Sequence, residues 1–149
     1  MSLNPSSIIY GLFQLKNEQK HKYAVILHND NDNYIITTFT TSQKRAGKNP
    51  THGKNKNPEC YVFKANTIIG ICPSNETDFY FKTDTIIVPD YGLLDIPVED
   101  FLNKVTGLKT VCHLHKEEYI NLLHFLYQCK KTKIRHVRIF ENILMKLST

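Results

Sequence analysis

The sequence predicts a mainly β fold with helices at its C-terminal end: a small barrel of five to seven short strands, covered by helical segments. Three observations point to it. Two apolar, β-branched runs at residues 23–27 and 34–41 flank an Asn/Asp cluster whose side chains favour turns, the pattern of a strand hairpin. Short strand signals then recur at close spacing as far as Val88. Helical periodicity appears only beyond Ile96, most clearly at residues 116–131, where Tyr119, Leu122, Leu123 and Leu126 share one stripe.

The first strand is expected within residues 8–15, where Gly11 marks a bulge or a close backbone approach. Residues 16–22 are polar throughout and connect it to the hairpin. In the run 23–27, Tyr23, Val25 and Leu27 face one way and Ala24 and Ile26 the other, so both faces are apolar and the strand is expected at the centre of the sheet. Residues 43–58 carry Lys44, Arg45, Lys48, Lys54 and Lys56 among Gly, Pro and Asn, with no carboxylate between Asp32 and Glu59. They read as a flexible basic loop. Strand signals resume at 61–63, 67–71 and 78–88, which places the barrel core at about residues 8–88. The helical part is expected at about 97–147, beginning with a short helix at 98–105 closed by Gly107. Residues 108–114 read as one more strand. The helix at 116–131 opens on Glu117 and Glu118 and closes on Lys130 and Lys131, as the helix dipole favours. The tail 134–147 fits a helix through Val137, Phe140, Leu144 and Leu147, while its start at 135–140 also fits a strand.

A chain of 149 residues with no internal repeat is expected to form a single domain with a real hydrophobic core. The formal charge of +5 favours polyanionic partners such as nucleic acid. Cys60, Cys72, Cys112 and Cys129 contain no Cys-x-x-Cys pair and are expected as reduced thiols. Neither a secretion signal nor a membrane-length apolar run is visible, so a cytoplasmic protein with no membrane partner is expected. Cys112, His113 and His115 resemble metal ligands at first sight. Strand alternation turns Cys112 away from the two histidines and no second pair has zinc spacing, so neither metal nor cofactor is expected.

Around this hairpin the sequence resembles the MazF/PemK family of toxin endoribonucleases, which are SH3-like barrels with accessory helices. Gly11 stands in the first strand, Asn17-Glu18-Gln19 in the following loop, Ala24-Val25-Ile26-Leu27 as the aliphatic strand, and Phe39-Thr40-Thr41-Ser42-Gln43 as the Thr-rich strand end. The family's Arg-Pro step is Lys22-Tyr23 here, and the match covers about the first third of the chain. The resemblance implies cleavage of single-stranded RNA through its own 2′-hydroxyl, without metal, by the toxin of a toxin–antitoxin pair. It also implies a homodimer and an antitoxin protein as partner.

By position, Lys22 would take the place of the family's arginine and Thr41 would be the hydroxyl on the phosphate. Lysine keeps the charge but lacks the planar fork that grips two phosphate oxygens. His21 and His28 flank the same strand and are candidates for proton transfer. Lys44, Arg45, Lys48, Lys54 and Lys56 are the candidates for binding RNA, with Tyr61 or Phe63 beyond them for stacking on bases. Each has a plain structural alternative: a solvated strand-end lysine, threonines chosen for β-propensity, a solvated loop. The competing reading of the whole chain is a non-catalytic SH3-like module that binds nucleic acid or a protein.

Overall fold

The computed structural model describes residues 3–148, and these form ten strands and three α-helices. The strands are β1 (Ser7–Gln14), β2 (Gln19–Asp30), β3 (Tyr34–Phe39), β4 (Gly53–Lys56), β5 (Glu59–Phe63), β6 (Gly70–Ile71), β7 (Asp78–Phe79), β8 (Thr85–Ile87), β9 (Leu94–Pro97) and β10 (Val105–Leu114). The helices are α1 (Val98–Asn103), α2 (Lys116–Gln128) and α3 (Ile134–Leu147). The fold is mainly β with C-terminal helices, as the patterning predicts, and the ambiguous tail is helical throughout.

The strands make two antiparallel sheets. One has the order β7-β6-β10-β1-β2-β3-β9 and the other β4-β5-β8, and neither is a closed barrel. The expected core of five to seven strands within residues 8–88 is therefore corrected: β9 and β10, from beyond Val88, complete the larger sheet. A single bridge between Thr41 and Ile86 ties the chain beyond β3 to β8 in the smaller sheet.

The organising hairpin forms as its residue types dictate. Asn31 and Asp32 take left-handed conformations (φ 50° and 62°) that their short polar side chains tolerate, and Asn29 Oδ1 accepts the Asp32 N–H at 2.9 Å. Both faces of β2 are covered. Val25 and Leu27 join Ile8, Ile36, Tyr61, Phe63 and the apolar stripes of α2 and α3, while Ala24 and Ile26 pack with Ile9, Phe13, Ile35 and Phe101 on the other side. Gly11 is needed where β1 meets β10: a Cβ there would lie 2.6 Å from Val105 Cγ2.

A bulge changes the course of β2. Ile26 pairs with Thr37 but His28 pairs with Ile36, so Leu27 is the extra residue and His28 emerges on the side of Ile36, toward α3.

The basic segment differs from a free loop. Ala46 is buried against Cys60, Val62 and Ile86, and β4 pairs with β5 from Gly53 to Lys56. The His52 ring, just before β4, is tied to α2: its Nε2 meets Glu118 Oε1 at 2.8 Å while its Nδ1 accepts the Lys64 N–H at 3.1 Å. Tyr61 donates its hydroxyl to the second Glu118 oxygen, and burial with that bond pushes the phenol well above its usual range. Both His52 nitrogens are thus occupied, and the network fastens the small sheet to α2.

At the far edge Asp95 of β9 fixes α3. Its Oδ2 accepts Arg135 Nε at 3.0 Å and lies 2.8 Å from Nε2 of the buried His136. Burial alone would raise this carboxyl, but the hydrogen bonds from Arg135 and His136 outweigh it and hold the group below its usual value. As pH falls, the unfolded chain takes up this proton first, so the stabilisation is complete above about pH 4 and is lost as pH drops through the lower folded-state value. Asp95→Asn is expected to cost about 1–3 kcal/mol at neutral pH and to make stability less sensitive to acid. Thermal unfolding of both proteins across that range checks both effects.

Candidate active-site cleft

A cleft of about 690 Å³ opens where the start of β2 passes the chain beyond β3. Lys20, His21, Lys22 and Tyr23 line one side. Thr40, Thr41, Ser42 and Gln43 form the floor. The opposite wall is the segment 79–83 between β7 and β8.

Strand pairing builds the first side. Gly11 lies opposite Lys22 and Tyr10 opposite Tyr23, so the Tyr10 ring meets Tyr23 at 4.5 Å and stacks on His21 at 5.5 Å with 9° between planes. Phe81 holds the far wall to the core. It is 7% exposed and packs edge-on against Tyr23 at 5.1 Å and Phe79 at 5.2 Å. Asp84 anchors the end of that wall by accepting the Ala65 N–H at 2.8 Å and Lys64 Nζ at 3.2 Å.

Lys22 Nζ reaches the Thr40 carbonyl at 3.4 Å. Burial, reinforced by Lys20 and opposed by Glu18, pulls its ammonium below the usual lysine range. The two threonines have separate tasks. Thr40 donates its hydroxyl to the Tyr23 carbonyl at 3.1 Å, a structural bond. Thr41 Oγ1 accepts the Gln43 N–H at 3.1 Å, which leaves its own proton to be donated outward. Burial and the neighbouring Tyr10 raise the Tyr23 phenol, which therefore stays protonated.

No carboxylate lines the cleft, and among the described residues no acidic side chain forms a salt bridge with Lys20, Lys22 or Lys82. Three lysines, a histidine, aromatic rings and hydroxyls thus share a concave surface suited to an anion that carries rings.

The structure brings Lys22, Thr41 and His21 together with Thr40 and Ser42. It separates His28, which packs against Tyr34 at 5.8 Å on the α3 side. Burial is the main cause holding that ring's pKa below the usual histidine value. Lys44 lines a smaller cavity of about 220 Å³ that shares Ser42 and Thr83 with the cleft. Arg45 Nη2 donates to Gln43 Oε1 at 3.1 Å, at the cleft floor. Lys48 is exposed farther along the loop, and Lys54 and Lys56 are exposed on β4, outside the cleft lining. Tyr61 and Phe63 are corrected as stacking candidates: both are in the core, 1% and 0% exposed. Cys112 is buried and its thiol is pushed up to about 12 by burial, while His113 Nδ1 lies 3.0 Å from Ser7 Oγ.

Sequence reasoning missed Tyr10, Lys20 and the whole wall 79–83. The signal was there in the unbroken run Lys20-His21-Lys22 and in Phe79-Tyr80-Phe81-Lys82, where three aromatic residues run into a lysine. Neither a protein-family model nor a curated protein matches the chain significantly.

Proposed function

We propose that this cleft binds single-stranded RNA and cleaves it, so that the protein acts as a MazF/PemK-like endoribonuclease. The observation that carries the reading is the cleft itself, in which Lys22 and Thr41 face a concave, carboxylate-free surface of lysines, hydroxyls and rings. In the proposed reaction the 2′-oxygen attacks the adjacent phosphorus, the P–O5′ bond breaks, and the 2′ proton ends on the leaving 5′ oxygen. Lys22 neutralises the charge that gathers on the phosphate oxygens, Thr41 donates to one of them, and His21 carries the proton. His28, farther along β2 and packed against Tyr34, lies outside the cleft lining and has no part in it.

The remaining elements of the resemblance belong to the same proposal: a cytoplasmic toxin, a homodimer, an antitoxin partner and an SH3-like arrangement of the strands. The Thr41–Ile86 bridge, which ties the chain beyond β3 to the small sheet, supports the last of these. No helix among the described residues is long and apolar enough to cross a membrane. Binding without cleavage is the second reading, favoured by the Lys22-Tyr23 step, which leaves no guanidinium in the cleft lining.

The test is incubation with long single-stranded RNA and with its 2′-O-methyl counterpart. Fragments ending in cyclic phosphate from the first and none from the second are expected; binding with no cutting of either leaves the second reading. The basic segment has its own test. Lys44→Ser is expected to lower the salt slope of RNA binding by roughly 0.7. Lys54→Ser and Lys56→Ser, outside the cleft lining, are expected to change it less.

A further inference from the structure

Four of the aromatic side chains lining the cleft are committed to one another. Tyr10 packs on His21 and Tyr23, Tyr23 on Phe81, and Phe81 on Phe79, so these rings build the walls and cannot turn outward without breaking them. Tyr80 is different. It is 45% exposed, and among the described residues no ring packs on it and no group bonds its hydroxyl. Its neighbours show the contrast: Phe79 and Phe81 pack into the core, while Tyr80 and Lys82 are exposed. A free ring and an unpaired ammonium two residues apart therefore stand on one wall of the cleft, and the buried Phe81 between them holds both in place.

We propose that Tyr80 and Lys82 form a nucleotide subsite, in which an unpaired base stacks on the Tyr80 ring and the adjoining phosphate contacts Lys82. The inference rests on the RNA-binding part of the reading above, not on cleavage. An exposed aromatic ring gives a base a stacking partner, and every base has a face to offer, so the subsite takes any single-stranded segment and ranks bases by stacking strength. Purines are then held more firmly than pyrimidines. Lys82 contributes charge without regard to sequence.

The probes are oligoadenylate and oligouridylate RNA, each with one 2-aminopurine whose fluorescence is quenched on stacking. Wild type and Tyr80→Phe are expected to bind, to quench, and to prefer oligoadenylate. Tyr80→Ala is expected to bind roughly 10- to 100-fold more weakly, with quenching and base preference both lost. Lys82→Ala is expected to weaken both RNAs alike and to reduce the salt slope. Because Tyr80 is exposed, unchanged thermal unfolding of Tyr80→Ala separates loss of the ring from loss of the fold. If wild type binds RNA and Tyr80→Ala binds it equally well with the same quenching, the subsite is overturned while the cleft reading stands. If wild type binds no single-stranded RNA, both fall together. Tyr80-dependent binding without cleavage keeps the subsite and removes the nuclease.

Discussion

Lys22→Ala is expected to slow RNA cleavage by roughly 10²–10³-fold while RNA affinity changes little, the effect of removing one group that acts mainly in the transition state. The charge on the phosphate is largest when both the 2′ and 5′ oxygens are partly bonded to phosphorus. A cation on a half-buried stem, held near the Thr40 carbonyl, is worth more at that moment than in the ground state. Lys22→Arg is expected to keep or raise the rate, because the guanidinium can reach two phosphate oxygens. Single-turnover rates with saturating protein separate these effects from binding. Equal rates for wild type and Lys22→Ala would remove Lys22 from the chemistry.

Phe81→Ala is expected to lose about 3–5 kcal/mol of stability, the usual cost of emptying a buried phenylalanine site. The Phe81 ring touches Tyr23, Phe63 and Phe79, so its loss opens a cavity beneath both sides of the cleft. RNA affinity should fall as well, even at temperatures where the variant stays folded, because the wall bearing Tyr80 and Lys82 is no longer held. Phe81→Leu keeps part of the volume and is expected to lose less of both. Denaturant unfolding measures the first effect and RNA titration of the folded variant the second; an unfolding midpoint like that of wild type would show that Phe81 does not hold the wall.

The hairpin was legible because β2 is apolar at consecutive positions, which only a strand covered on both faces tolerates, and because the Asn/Asp cluster names its own turn. Gly11 was legible for the same local reason. His28 was not, since the sequence puts it with His21 at the two ends of one short strand, whereas β2 runs from Gln19 to Asp30 and carries the two histidines far apart. The strand β4, Gly-Lys-Asn-Lys, has no β-branched or aromatic residue although it pairs with β5 over all four positions, so composition read it as loop. The wall of the cleft was hidden inside an apparent strand at 78–88. The structure ends β7 at Phe79 and starts β8 at Thr85, and Asp84, just before β8, accepts the Ala65 N–H with its side chain. The open sheet was hidden too, since the pairing of β10 with β1 joins residues about a hundred positions apart and no local pattern encodes it. Within the cleft, Lys22 and Thr41 came from the resemblance and His21 from its place beside the strand, and the rings and lysines around them came only from the fold.

The most direct test of RNA entry into the cleft is photocross-linking of single-stranded RNA containing 4-thiouridine, followed by mass spectrometry of the adducts. Cross-links are expected on peptides containing Tyr10, residues 20–23 and residues 79–83, the two sides of the cleft. Cross-links confined to α2, α3 or the far edge at β9, with none on those peptides, would contradict it.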